Sequence, residues 1–123
     1  MSANLGKLES IIGHAFKDVK LLERALTHRS WAFENLHGQS EAAIRDAENE
    51  SMEFLGDSVL GLVIAERLYL ANPEHDEGDL TLMKHHLVST ATLARIAETI
   101  ELGKFVRVGR GEEKTGGRKR QAM

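Results

Sequence analysis

The chain has no cysteine. That excludes disulfides and any thiolate metal site, and it suits a reducing compartment, the cytoplasm. Proline occurs once in 123 residues, so little interrupts helix formation, and a hydrophobic share of 41% suits a folded, mostly helical chain. No basic-then-apolar leader opens the sequence. No apolar run nears the roughly 18 residues of a membrane span, so neither secretion nor a membrane partner is expected. Excess positive charge is missing too. The net charge of −3 is not the basic balance that nucleic-acid binders usually show. The length fits one domain with a single core.

The charge distribution says more than its sum. Lys104, Arg107, Arg110, Lys114, Arg118, Lys119 and Arg120 gather in the last fifth of the chain against only Glu112 and Glu113, leaving the remainder acidic. Residues 109–120 are also glycine-rich. Two readings stand: a mobile, solvated segment, or a contact to phosphates in which each cation releases a counterion.

The most organised stretch runs from Asn49 to Leu70 and stops at Asn72-Pro73. Rich in Leu, Val, Ile and Ala with no internal proline, it predicts one long helix. At 100° per residue, Met52, Leu55, Val59, Leu62 and Val63 share one side, the expected core face. Glu50, Glu53 and Asp57 share the opposite side, with Phe54 beside them. Three carboxylates on one helix are ordinarily a solvated face. Here they repel one another, and no Lys or Arg lies between Glu50 and Asp57 to offset that repulsion. Carboxylates one turn apart are what a hard divalent cation such as Mg2+ requires, because it takes oxygen ligands and keeps several waters. Asp46 would extend this face only if the helix began a turn earlier.

Elsewhere the pattern predicts a helix from Asn4 to Ile12 with Leu5, Leu8, Ile11 and Ile12 facing inward and Gly13 ending it. Phe16 is read as core. Asp18 is read as the cap of a second helix bearing Leu21, Leu22, Ala25 and Leu26. Residues 31–48 read as a loop with one helical turn. Asp79 is the expected cap of a helix carrying Leu80, Leu82, Met83, Leu87 and Val88. Ser89 or Thr90 should start another, buried through Leu93, Ile96, Ala97 and Ile100, with Gly103 ending it. Residues 105–109 could be extended. His28 reads as a hydrogen-bonded structural residue. His85-His86 point about 100° apart on a helix and do not make a metal pair.

The run Asn49-Glu50, Glu53-Phe54-Leu55-Gly56-Asp57-Ser58-Val59-Leu60 resembles the signature helix of the ribonuclease III family, the Mg2+-dependent endonucleases that cut double-stranded RNA. Leu26-Thr27-His28-Arg29-Ser30, Glu77-Gly78-Asp79-Leu80 and the Gly-rich basic segment are similar to further stretches of that family. The resemblance implies an all-α endonuclease-domain bundle that forms a homodimer and processes rRNA and mRNA precursors. It implies that Glu53 and Asp57 are metal-binding and catalytic, with Mg2+, or Mn2+ in its place, as the ion. It implies an accessory catalytic role near the scissile phosphate for Glu50, and for Phe54 a contact in a pocket of the second subunit. Lys114, Arg118, Lys119 and Arg120 would meet the RNA.

The family's other two catalytic carboxylates are expected a few residues past Met123. Residues 1–123 are therefore read as an endonuclease domain without its C-terminal helices, half of its metal site, or the separate double-stranded-RNA-binding domain. A catalytically silent RNA-binding or dimerisation module of the same fold is the alternative, and an unrelated helical interaction domain is a third reading.

Overall fold

Short polar side chains placed just ahead of apolar runs start most of the helices. Asn4 accepts from the Lys7 N–H and begins α1 (Leu5–Ile12), and Asp18 accepts from Lys20 and begins α2 (Val19–Ala25). His28 accepts from Ser30 and begins α3 (Arg29–Asn35), and Ser40 accepts from Ala43 and begins α4 (Glu41–Ala47). Each satisfies one of the N–H groups that a helix start leaves without a partner. The long helix α5 spans Glu50–Ala71. Asp76 caps α6 (Glu77–Leu87) and Ser89 caps α7 (Thr90–Thr99). A 3-10 turn at Leu102–Lys104 and a short α8 (Arg110–Lys114) complete the chain described by this computed structural model, residues 4–114. Among the described residues the architecture is all-α, with one parallel bridge between Thr27 and Arg107.

The core joins the two ends of the chain. Leu8, Leu22, Leu26 and Phe105 are buried together, with Leu5, Phe16, Leu102 and Val106 packed against them. The bridge extends this junction. His28 N–H donates to the Arg107 carbonyl at 2.9 Å, and Arg107 N–H donates to the Leu26 carbonyl at 2.7 Å. On the other side α3 packs against α4 and α8, burying Ala32, Ile44 and Val108. Helix α5 packs along α6, and α6 meets α7.

Several expectations need correction. Residues 31–48 hold most of α3 and all of α4 rather than one turn in a loop, because His28 and Ser40 supply caps that composition alone understates. Helix α4 ends before Glu48, so Asp46 does not continue the acidic face of α5. The α6 cap is Asp76, whose side chain receives the Asp79 N–H at 2.8 Å, so Asp79 lies inside the helix. Helix α7 ends at Thr99. The reversal uses Glu101 in left-handed conformation (φ 54°) instead of Gly103, and Lys104 Nζ closes on the Glu101 carboxylate at 2.8 Å across the turn. Part of the glycine-rich segment, read either as mobile and solvated or as a phosphate contact, is helical at 110–114.

The largest correction concerns burial. Leu55 is 65% exposed and Leu62 70%, and Val59 and Val63 are also exposed. The expected core face of α5 is open, and Leu68 is the one buried residue of that helix. Helix α6 covers α5 on one side, and no second element runs along it among the described residues. Ile11, Ile12, Leu21, Leu82, Leu87, Leu93 and Ile96 are exposed for the same reason: amphipathic helices have met a partner on only part of their apolar surface.

Candidate active site on the long helix

Helix α5 begins in an unusual way. Its N-cap residue, Asn49, makes no side-chain capping bond. Its amide donates instead to the Ala25 carbonyl at 2.9 Å, and its backbone N–H donates to the Thr27 carbonyl at 3.1 Å. The cap comes from one residue earlier, where Glu48 Oε1 accepts the Glu50 N–H at 2.9 Å. The Glu48 carbonyl is held in turn by Arg24 Nε at 2.9 Å. Three anchors on α2 and its following segment therefore fix where α5 starts and which way its first turn points.

Glu50 and Glu53 stand in that first turn, where the positive end of the helix dipole favours anions. Asp57 lies one turn beyond Glu53, past the first turn to which that effect is confined, so the dipole does not account for it. All three are exposed. Glu50 has Arg29 Nη1 at 3.6 Å. Among the described residues Glu53 and Asp57 have no ion-pair partner. They stand one turn apart on a continuous helix, with Phe54, 80% exposed, beside them.

The donor chemistry suits a hard cation, since Glu53 and Asp57 offer carboxylate oxygens on one face with open solvent around them for water ligands. The fit is partial. No group of three or more His, Cys, Asp or Glu converges closely enough among the described residues to enclose an ion. Glu50, the nearest third carboxylate in sequence, faces Arg29.

The other candidates divide. His28 is a half-buried helix cap, its Nδ1 2.8 Å from the Ser30 hydroxyl, as the structural reading expects. His85 and His86 occupy the last turn of α6, where a basic group suits the helix end. Lys114 is the last described helical residue, and Arg118, Lys119 and Arg120 lie outside the described residues. Two members of the basic stretch are engaged within the fold: Lys104 pairs with Glu101, and Arg107 donates to the buried Thr27 hydroxyl from Nε at 3.0 Å and Nη2 at 2.7 Å. Arg110 is exposed at the edge of an open concavity of about 740 Å3 that Trp31, Phe33 and His37 also line. Sequence reasoning missed Glu48 and the reach of Arg29. Their only signal was a fourth carboxylate just ahead of Asn49-Glu50 and an arginine in Leu26–Ser30, some twenty residues upstream.

Among the described residues no helix is long and apolar enough to cross a membrane. A family profile described as Ribonuclease-III-like matches residues 18–123. The ribonuclease 3 of Solibacter usitatus is 46% identical over 123 residues, an alignment covering 100% of this chain and 45% of that protein. That of Caldanaerobacter subterraneus is 48% identical over 116 residues, covering 94% of this chain and 48% of the relative. The chain thus spans about half the length of the curated relatives it matches. The nuclease domain of ribonuclease III from Campylobacter jejuni, in a structure concerned with flexibility in a region involved in its dimer formation, superposes with a TM-score of 0.82 at 36% identity. That superposition covers 97% of this chain and 75% of that one.

Proposed function

The chain belongs to the ribonuclease III family, and from that premise we propose that it serves a Mg2+-dependent endoribonuclease that cuts double-stranded RNA in the cytoplasm. The observation that carries this reading is the face of α5. Glu53 and Asp57 stand exposed, one turn apart and without counter-ions among the described residues, on a 22-residue helix whose start is fixed by Glu48 and Asn49. Leaving carboxylates unpaired beside one another costs stability unless a ligand answers them.

Glu53 and Asp57 would hold Mg2+, or Mn2+ in its place, with water completing the shell. The ion, when bound, polarises the scissile phosphate and makes water a stronger nucleophile. Glu50 acts beside them, close to the phosphate, as an accessory group. The nucleophile is water, which adds to phosphorus as the P–O bond to the leaving ribose oxygen breaks. Lys114, Arg118, Lys119 and Arg120 would hold the duplex through its phosphates. Recognition by shape follows, because the A-form major groove is too narrow to read. Phe54, exposed beside the acids, would enter a second copy of the chain in a homodimer.

The test is cleavage of a long RNA duplex in Mg2+ by the chain alone and by the chain joined to the C-terminal remainder of the Solibacter usitatus relative. The joined protein should cut only with the metal, and Glu53→Gln or Asp57→Asn should slow it by about 100-fold or more. Duplex binding without cutting in both forms would instead identify a silent RNA-binding module.

A further inference from the structure

Glu48 occupies the break between α4 and α5 in extended backbone, φ −108° and ψ 170°. Its side chain is 2% exposed. Oε1 caps α5 through the Glu50 N–H. Oε2 is buried and accepts no hydrogen bond from the described residues. Its counter-charge is Arg29, whose Nη1 lies 3.8 Å away. The same nitrogen lies 3.6 Å from Glu50 Oε2. One guanidinium nitrogen thus stands between two carboxylates, beyond hydrogen-bonding distance of both.

The two acids do not hold Arg29 equally. A carboxylate taken out of water is costly unless a charge compensates it and its lone pairs are filled. Glu48 has one oxygen satisfied and the other dependent on Arg29, so it loses most if Arg29 leaves. Glu50, whose side chain is 57% exposed, is hydrated, and an exposed ion pair adds little. Arg29 is also steadied by Phe33, with its guanidinium carbon 4.8 Å from the ring centroid. Glu50 is therefore the member free to move, and by its spacing it shares a helix face with Glu53 and Asp57.

Resting on the reading that these carboxylates hold a divalent cation, we infer that Arg29 and buried Glu48 are a positioning pair that governs Glu50. Arg29 holds Glu50 away from the cation site, and Glu48 keeps that hold weak by retaining Arg29 for itself. When an ion arrives, Glu50 can leave Arg29 and join Glu53 and Asp57 while Arg29 closes on Glu48. The buried Oε2 then gains the partner it lacks.

Mn2+ binding to the 123-residue chain, read from the electron paramagnetic resonance of the free ion, tests this. Glu48→Gln keeps an oxygen for the cap but releases Arg29 to Glu50, and Mn2+ binding should weaken by about threefold. Arg29→Met alone leaves the Glu48 charge uncompensated and is expected to destabilise the fold. The double variant Arg29→Met/Glu48→Gln avoids this and should bind Mn2+ about threefold more tightly than the parent. In a Glu50→Gln background the effect of Glu48→Gln should vanish. Persistence there would show a plain field effect of the Glu48 charge and overturn the inference. So would melting temperatures that move while Mn2+ affinity stays the same, the mark of a purely structural pair. If the parent chain shows no Mn2+ site that Asp57→Asn removes, the metal reading itself falls and this pairing with it. If that site is present and insensitive to both Glu48 variants, only the pairing falls.

Discussion

The guanidinium carbon of Arg107 lies 4.0 Å from the centroid of the Trp31 ring. With both Nε and Nη2 donating to the Thr27 hydroxyl, Arg107 fastens the segment after α7 to the start of α3. An arginine that sequence places in a basic, phosphate-binding stretch is here a structural clamp. Arg107→Met should cost about 2 kcal/mol, from the lost stacking and the buried hydroxyl left without its donors. Arg107→Lys should recover little of it, because an ammonium has no planar fork. Urea denaturation reads both, and a lysine variant as stable as the parent would refute the clamp.

Gly109 lets two backbones approach closely. A Cβ there would meet the Ser30 carbonyl oxygen at 2.9 Å and would overlap the Glu34 carboxylate as well. The Glu34 carboxylate is needed where it is, since it accepts the Arg110 N–H at 3.0 Å, and Ser30 Oγ accepts the Gly109 N–H at 2.8 Å. Gly109→Ala is expected to destabilise by about 1–3 kcal/mol. Loss of protection in α8, measured by amide hydrogen exchange, should accompany it.

Phe54 gives a sharp contrast between chain and assembly. At 80% exposure it contributes little to the isolated fold, so Phe54→Ala should change monomer stability by no more than about 0.5 kcal/mol. As an aromatic anchor in a second subunit it would weaken self-association by about tenfold or more. Sedimentation equilibrium on the parent and the variant measures this. Equal association constants would remove Phe54 from the interface.

Glu101 has its carboxyl held below the usual range by the hydrogen bond from Lys104 and by that residue's charge, with Lys7 adding a smaller push in the same direction. A depressed folded-state value means that the pair's contribution is present above the ordinary carboxylate range and is lost as pH falls through the lowered value. Lys104→Met should move the Glu101 carboxyl resonance titration upward, toward an unperturbed glutamate. A midpoint unchanged by the substitution would show that Lys104 is not the cause.

The basic segment carries a salt prediction. If Lys114, Arg118, Lys119 and Arg120 meet phosphates, replacing two of them with Gln should flatten the slope of log affinity for an RNA duplex against log salt by about 1–2 units. The loss should be uniform across duplex sequences. A sequence-dependent loss would mean that these side chains read bases.

Much of the helical framework was legible because helix starts and stops are local chemistry. Asn4, Asp18 and Ser89 cap where short polar side chains ahead of apolar runs should, and α5 ends at the Asn72-Pro73 boundary. The acidic face of Glu50, Glu53 and Asp57 was equally legible, since one helix geometry fixes the relative direction of residues three and four apart. The failures have separate local causes. Residues 31–48 looked irregular because a histidine cap is a weak signal, and Glu101 took a left-handed conformation that glycine ordinarily supplies.

What the sequence determined by itself is the long helix α5, the helices that open on Asp18 and Ser89, and the set of side chains that share a face, all consequences of a backbone period and of hydrogen bonds spanning a few residues. Tertiary structure alone decided three things. It left Leu55 and Leu62 open although their spacing predicts burial, because a helix face is buried only where another element lies on it. It turned Arg107 inward by bringing residues 27 and 107 side by side. It also set Arg29 between Glu48 and Glu50. The last two rest on contacts between segments far apart in the chain and the first on the lack of one among the described residues, and no local pattern encodes either.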